Sequence, residues 1–273
     1  MFLQQLKRIL NTKKFTLSFW VIMAFFLFHF VNNVRRFWGM DVLEISSPSV
    51  MLLISGLDES MEGRYFMQFL PFLIVLPAAF LYLDETDCGE HIYGRFRTSS
   101  LRYITSGMAA VFCATFIAFE IPQLTELLLN HIGFHADSMM LYQSFSYFSE
   151  GASDTVRRFP LYRIFLTSPL LYSLIMSLKL SVFCSSFAVF AYCVSTSGFR
   201  LKVLLFLPVY LVLNLLSFAE QVSGLTYSSN YADYLSSFCL MGKLNWGMAF
   251  AVLALIWLAS VILAFRYSRK DCF

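Results

Sequence analysis

Charged residues are scarce in this sequence. Asp, Glu, Lys and Arg together make only 14% of its 273 residues, against about 25% in an ordinary soluble domain. The net charge of +3 is small, and no basic cluster is interleaved with aromatic residues. The composition therefore argues against a cytosolic globular enzyme and a disordered protein, and against nucleic acid as a partner.

The common catalytic and metal-binding motifs are missing as well. There is no P-loop GxxxxGK[ST], so we do not expect the chain to hydrolyse ATP unaided, and there is no HExxH or GxSxG motif. None of the six Cys residues forms a CxxC pair. His131 and His135 are spaced i, i+4 but enclose Gly133, so a polar loop turn is a better interpretation than a metal site. The sequence predicts no catalytic, cofactor-binding or metal-binding residue.

Apolar residues, in contrast, are abundant: 58% of the chain is hydrophobic and Phe occurs 31 times. A soluble protein of this length has too little interior to bury so much apolar surface, and a helix that crosses a bilayer needs about 20 mostly apolar residues. Six runs meet this requirement, so we expect an all-α polytopic membrane protein with one transmembrane domain over residues 1–273. The predicted spans are 15–34, 65–83, 103–129, 166–195, 203–219 and 244–265.

The charges between these runs predict the topology. With the N-terminus inside, the inner segments hold 12 of the 20 basic residues and 5 of the 17 acidic residues. This is the expected excess of Lys and Arg on the cytoplasmic side, and it places both termini in the cytoplasm. In residues 2–10 the apolar side chains recur at helical spacing and the polar side chains occupy the other face. This pattern predicts an amphipathic N-terminal helix lying against membrane lipid at the inner surface.

Lys179 is the most costly residue within a predicted span. Insertion of a central Lys costs about 2.5–3.5 kcal/mol, so its ammonium should find a polar partner or water. It could line a translocation path for an anionic group. It could equally form an intramembrane polar pair with Glu120, or snorkel to the interface. The run that contains it has no Gly, Pro or Asn turn, so one tilted helix is favoured over two short ones.

The loop between the second and third spans, LDETDCGEHIYGRFRTSSLRYITSG (83–107), is the most informative segment. Its Glu85 and Gly89 form an E-x-x-x-G pattern, and residues 98–103 add a Thr/Ser-rich ending with Arg102. With six spans and an N-terminal amphipathic helix, this loop resembles that of the permease subunit of type-2 ATP-binding-cassette transporters. It departs from the family pattern at Glu90, where Thr is usual, and by lacking the Pro of the usual ending.

The resemblance implies an ATP-driven exporter of a peptide, drug-like, lipid or other amphipathic substrate, located in a bacterial plasma membrane. The permease would pair with a second permease copy or a homologue, and with separate cytosolic ATPase subunits that bind ATP and Mg. In that family the matching loop docks on the ATPase, which assigns a coupling role to Glu85, Gly89, Arg95, Arg97 and Arg102. The alternatives are an ordinary basic inner loop and, for the whole chain, an ATP-independent carrier or a structural or sensory membrane protein.

Overall fold

The structure is a computed structural model. It describes residues 1–39, 48–49, 51–55, 57, 60–89, 92, 98–134, 161–197, 202–223, 231–237 and 246–269. All regular structure within these ranges is helical. The α-helices are α1 Phe2–Leu10, α2 Lys13–Phe37, α3 Met61–Val75, α4 Leu81–Asp87, α5 Ser100–Gly133, α6 Tyr162–Thr167, α7 Pro169–Ser195, α8 Phe206–Ser223, α9 Tyr231–Leu235 and α10 Trp246–Arg269, with 3₁₀ turns at Leu53–Ser55 and Lys202–Leu205.

Four of these helices are long and apolar enough to cross a membrane, which supports an integral membrane protein. They are α2, α5, α7 and, within α10, Ala249–Ser268. The fourth predicted span is one uninterrupted helix, α7, as expected. Ser168 caps its N-terminus by accepting from the Leu171 N–H at 3.4 Å, and Pro169 occupies the first turn, where its missing N–H costs no helical hydrogen bond.

The second predicted span, 65–83, is not a continuous helix. The chain leaves helical geometry after Val75 and resumes it at Leu81. Pro77 lies in this interruption, where it lacks an N–H and its ring obstructs the preceding turn. Ala78 and Ala79 in the turn are buried, as irregular backbone at membrane depth must be.

The centre of the bundle is the contact between α5 and α7. Ser173, Ser177, Ser181 and Ser185 recur every four residues along one buried face of α7. Such small residues let two membrane helices approach closely. Two of these hydroxyls join α7 to α5: Ser177 donates to Glu120 at 3.1 Å, and Ser181 accepts from Gln123 at 3.0 Å.

Side-chain contacts define two ends of the bundle. The proximal end holds Lys14 and Tyr103, and the distal end holds His29 and Glu126, which are paired there. Tyr103 and Glu126 are separated by about 35 Å along α5 at 1.5 Å per residue, close to the thickness of a bilayer core. The Leu53–Ser55 turn and α9 fold into the distal half, where the Ser237 N–H donates to the Ile54 carbonyl at 2.9 Å.

Candidate functional site

The proximal end contains a buried carboxylate, that of Glu85, which is only 4% exposed. Glu85 lies in α4 and accepts a hydrogen bond from Arg8 Nη1 of α1 at 2.9 Å. Its other oxygen accepts from the hydroxyl of Tyr103, in the first turn of α5. One side chain therefore connects three helices. We call Glu85, Arg8 and Tyr103 the Glu85 cluster.

Further tyrosines surround this cluster. Tyr82 on α4 donates to the Tyr267 hydroxyl of α10 at 3.1 Å, and their rings meet edge to face. Tyr192 of α7 is fully buried against Gly107 of α5, where an added Cβ would overlap the phenol oxygen. Glycine at position 107 thus makes room for the Tyr192 ring. Contacts among α1, α4, α5, α7 and α10 therefore converge at the proximal end.

An ionic group lies outside the Glu85 cluster. Lys14 and Lys202 both contact Asp84, at 2.7 and 2.9 Å, and Lys202 also contacts Asp87 at 2.7 Å. Partial burial would raise the pKa of Asp84, but the two ammonium groups outweigh it and hold that pKa below its ordinary value of 3.8. Hydrogen bonds to Asp87 and Asp84 raise the pKa of Lys202. These contacts attach α4 to the start of α2 and to the turn before α8.

The residues predicted to dock an ATPase divide into three groups. Glu85 is buried within the bundle, so its carboxylate is not presented to a partner's surface. Gly89 follows α4 in the left-handed region, at a φ of 72°, which glycine adopts without a steric penalty. Arg102 is exposed on the first turn of α5, whereas Arg95 and Arg97 lie outside the described residues.

A second buried carboxylate lies at the distal end and was missed from the sequence. Glu126 of α5 is 1% exposed and lies 2.6 Å from Nδ1 of His29 on α2. It also accepts from the Leu53 N–H at 3.1 and 3.2 Å. Beside it, Asn33 and Asn130 both donate to the Met51 carbonyl, at 3.1 and 2.9 Å. These contacts fix the 51–55 segment between α2 and α5.

The neighbouring His131 contacts its own helix instead. His131 Nδ1 lies 2.8 Å from the Leu127 carbonyl one turn earlier in its own helix, and His135 is outside the described residues. No group of three or more His, Cys, Asp or Glu side chains that could hold a metal ion occurs in the part of the chain that the structure describes.

Lys179 and Glu120, the residues predicted within the membrane, point to different partners. Lys179 donates to the Ser236 carbonyl at 3.1 Å, and its Nζ lies 5.7 Å from the centre of the Trp246 ring. Glu120 instead accepts from Ser177. Positions 177 and 179 are about 200° apart around a helix with 3.6 residues per turn. The structure therefore does not bring Lys179 and Glu120 together. Lys179 instead lines a cavity of about 310 Å³ between α7, α9 and α10.

Comparisons with protein-family models, with curated proteins and with solved structures found no match to this chain.

Proposed function

We propose that this chain is the permease subunit of an ATP-driven exporter of the type-2 ATP-binding-cassette class. A separate cytosolic ATPase would dock on the 85–102 loop and bind the ATP and Mg, while this chain, which is not itself an enzyme, would form the path for a peptide, drug-like, lipid or other amphipathic substrate. The observation that carries the proposal is the burial of Glu85 between α1 and α5. It supplies a mechanical connection from that loop to the membrane helices.

The contacts at the two ends support a six-span topology. Asn32 of α2 donates to Glu62 of α3 at 2.6 Å at the distal end, whereas Lys14 of α2 binds Asp84 of α4 at the proximal end. Thus α2 and the α3–α4 segment run in opposite directions. Together, α3 and the start of α4, up to Leu83, would form the second span, interrupted at Pro77, and α8 would form the fifth.

The first and the last helix that the structure describes both contact α4. Arg8 of α1 contacts Glu85, and Tyr267 of α10 contacts Tyr82, three residues earlier on α4. The excess of basic residues in the predicted inner segments supports a cytoplasmic location for this end, and the membrane would be the plasma membrane of a bacterium. α1 would then be the interfacial elbow helix that the resemblance implies.

The break at Pro77 makes α4 a separate short rod between the loop and the bundle. An ATPase that moved the loop beyond Gly89 would displace α4, and with it the acceptor for Arg8 and Tyr103. Because Tyr103 begins α5, the displacement would reach the central α5–α7 pair. A second permease copy, or a homologue, would complete the translocation path.

One observation favours a second candidate, an ATP-independent carrier. Carriers often place interrupted helices and a charged residue at membrane depth, and this bundle has both: the α3–α4 break and Lys179 beside a cavity. In that function Lys179 would bind substrate, and α4 would need no cytosolic partner.

Purification from the native host in mild detergent separates the two functions. The permease should co-purify with a P-loop ATPase subunit, identified by mass spectrometry, and the Arg95→Glu/Arg97→Glu variant should lose that subunit. Arg35→Glu/Arg36→Glu is the matched control, because it makes the same charge change at the last turn of α2, at the distal end. Absence of an ATPase from the wild-type preparation, or its retention by the Arg95→Glu/Arg97→Glu variant, would contradict docking at this loop.

A further inference from the structure

Glu120 is a carboxylate buried inside the bundle, and the residue is only 7% exposed. It lies about 26 Å along α5 from Tyr103 and about 9 Å before Glu126, at 1.5 Å per residue. One of its oxygens accepts from Ser177 of α7 at 3.1 Å, so the carboxylate lies in the contact between α5 and α7. Its other oxygen, Oε2, is buried and has no hydrogen-bond partner among the described residues.

Gln123, three residues further along α5, presents a second oxygen of the same kind. Its amide nitrogen donates to the Ser181 hydroxyl of α7 and to the Phe119 carbonyl, both at 3.0 Å. The bond to Phe119, four residues earlier, holds the amide back at the level of Glu120. Gln123 is 3% exposed, and its Oε1 has no hydrogen-bond partner in the described part of the chain. Two buried acceptor oxygens therefore lie beside α7 without a donor.

A carboxylate in this position needs a positive counter-charge. Burial of an ionised group in low dielectric is costly unless the group is paired, and Glu120 takes part in no salt bridge within the described ranges. Its contact with Ser177 supplies one hydrogen bond and no formal charge. Ionisable residues at membrane depth commonly mark the binding site or path of an ion or substrate.

The donor atoms around Glu120 indicate which ion fits. All are oxygens, from one carboxylate, one amide and the hydroxyls of Ser177 and Ser181, and oxygen ligands suit hard cations. One carboxylate balances one positive charge, so a monovalent ion leaves the site neutral, whereas a divalent ion leaves a net charge in the bilayer. The two serines belong to the small-residue face that brings α7 close to α5, which favours a small ion.

We propose that Glu120, Gln123, Ser177 and Ser181 form a binding site for a sodium ion. Oε2 of Glu120 and Oε1 of Gln123 bind the ion, and the serine hydroxyls contribute their lone pairs from α7. The ion supplies the charge that the carboxylate lacks and links the two central helices. The site goes beyond ATP-driven export and does not depend on it.

Binding of radioactive Na⁺ to the full-length protein in phosphatidylcholine nanodiscs tests the site directly. The buffer contains choline as its other cation, and bound sodium is counted by scintillation proximity. We expect saturable binding of a single ion per chain. Unlabelled Na⁺ should compete about tenfold better than K⁺, equivalent to about 1.4 kcal/mol.

Two variants and their matched controls locate the bound ion. Glu120→Gln keeps the size of the side chain and removes its charge, so the Kd for Na⁺ should rise by about tenfold or more. Glu126→Gln is its control, because Glu126 is a buried carboxylate of the same helix that pairs with His29. Ser181→Ala should raise the Kd by a smaller factor. Its control is Ser185→Ala, one turn later, whose hydroxyl donates to the Ser181 carbonyl within α7 at 2.7 Å. Both controls should bind Na⁺ as the wild type does.

Absence of saturable Na⁺ binding by the wild type would overturn the proposal, as would equal competition by K⁺ or an unchanged affinity in Glu120→Gln. The wild-type measurements do not depend on any variant folding. Infrared difference spectra between wild type and Glu120→Gln distinguish sodium from a proton as the counter-charge. An ionised carboxylate band in saturating Na⁺ supports the sodium site, whereas a protonated carboxyl band that persists there overturns it. No ATPase is present, so this result and the co-purification result are independent.

Discussion

The hydroxyl of Tyr103, in the first turn of α5, donates to the carboxylate of Glu85, in the last turn of α4. These residues are the two ends of the loop that resembles an ATPase-docking segment, so the loop is closed at its base by a buried hydrogen bond. Arg8 completes the contact from α1. Such an arrangement resists separation of α4 from α5 and transmits their motion as a unit.

Removal of the Glu85 carboxylate should therefore destabilise the protein. Glu85→Ala leaves the buried Tyr103 hydroxyl without this acceptor, and loss of a hydrogen bond to a charged group typically costs about 1.5–3 kcal/mol; the loss of the Arg8 pair adds little, because Arg8 is 46% exposed. The midpoint of thermal or denaturant unfolding in detergent measures the loss. Asp87→Ala is the matched control on the same helix, because Asp87 is 63% exposed and pairs only at the surface; its effect should stay within about 1 kcal/mol.

A double-mutant cycle between Glu85→Ala and Tyr103→Phe tests the coupling itself. Since both changes break the same hydrogen bond, their combined effect should be smaller than the sum by about 0.5–3 kcal/mol. Strict additivity would show that the two residues do not interact in the folded protein.

Removal of the hydroxyl should change the stability of the protein differently at two buried tyrosines of α7. The Tyr192 hydroxyl has no hydrogen-bond partner among the described residues, so Tyr192→Phe should leave stability unchanged or raise it by up to about 1 kcal/mol, because no desolvated polar group then remains. The Tyr172 hydroxyl donates to the Ser237 carbonyl at 2.5 Å, so Tyr172→Phe should lower stability by about 1 kcal/mol. Parallel unfolding curves of the two variants make the comparison; equal destabilisation by both would contradict the proposed difference.

The ionic group around Asp84 should give the protein an acid-sensitive contribution to stability. Because Lys14 and Lys202 hold the pKa of Asp84 below 3.8 in the folded protein, the contribution is fully present above that value and is lost as pH falls through the folded-state pKa. All three side chains are about one-third to one-half exposed, so its size should not exceed about 1 kcal/mol.

Unfolding midpoints of wild type and Asp84→Asn, measured from neutral pH to below pH 3.8, check this expectation. The variant should be less stable at neutral pH, and the two curves should converge in acid. High salt should also narrow the gap, since it screens exposed charges. A difference that persisted unchanged in acid would show that Asp84 acts through packing and not through its charge.

The long helices could be predicted from the sequence because their apolar runs end at charged residues. The break at Pro77 could not, although the proline was visible, because neighbouring helices decide whether a proline bends or interrupts a membrane helix. Lys179 was expected to need a polar partner. It contacts a backbone carbonyl and an aromatic ring, and neither partner is identifiable from a residue pattern.

The buried carboxylates of Glu85 and Glu126 show the same limit. Glu85 belongs to a recognisable pattern, but its burial depends on Arg8, 77 positions away. The His29–Glu126 pair spans 97 positions. The sequence did contain one relevant feature: the carboxylate of Glu126 lies within the apolar run of the predicted third span. The second half of the predicted first span, which holds His29, lies at a similar depth in the membrane. Without knowledge of which helices are neighbours, that signal does not identify a partner.

The Glu126 carboxylate should control the order of the 51–55 segment. It accepts the Leu53 N–H at 3.1 and 3.2 Å and holds His29 on the other side. Glu126→Ala deletes this acceptor and leaves the amide dependent on transient contacts, so Leu53 should exchange its amide hydrogen faster. Local opening of this kind is read directly by hydrogen–deuterium exchange with mass spectrometry.

The matched control is Thr125→Ala, one residue earlier on α5, whose hydroxyl donates only within its own helix to the Ile121 carbonyl. We expect a protection loss of about tenfold or more at peptides covering Leu53 in Glu126→Ala, equivalent to about 1.4 kcal/mol, and little change in Thr125→Ala. His29→Ala should give a smaller loss, because it removes a neighbour of the carboxylate and leaves the acceptor itself. Faster exchange spread over all helices in Glu126→Ala would instead mean that the carboxylate supports the whole fold, whereas a change confined to the 51–55 segment identifies it as the local anchor.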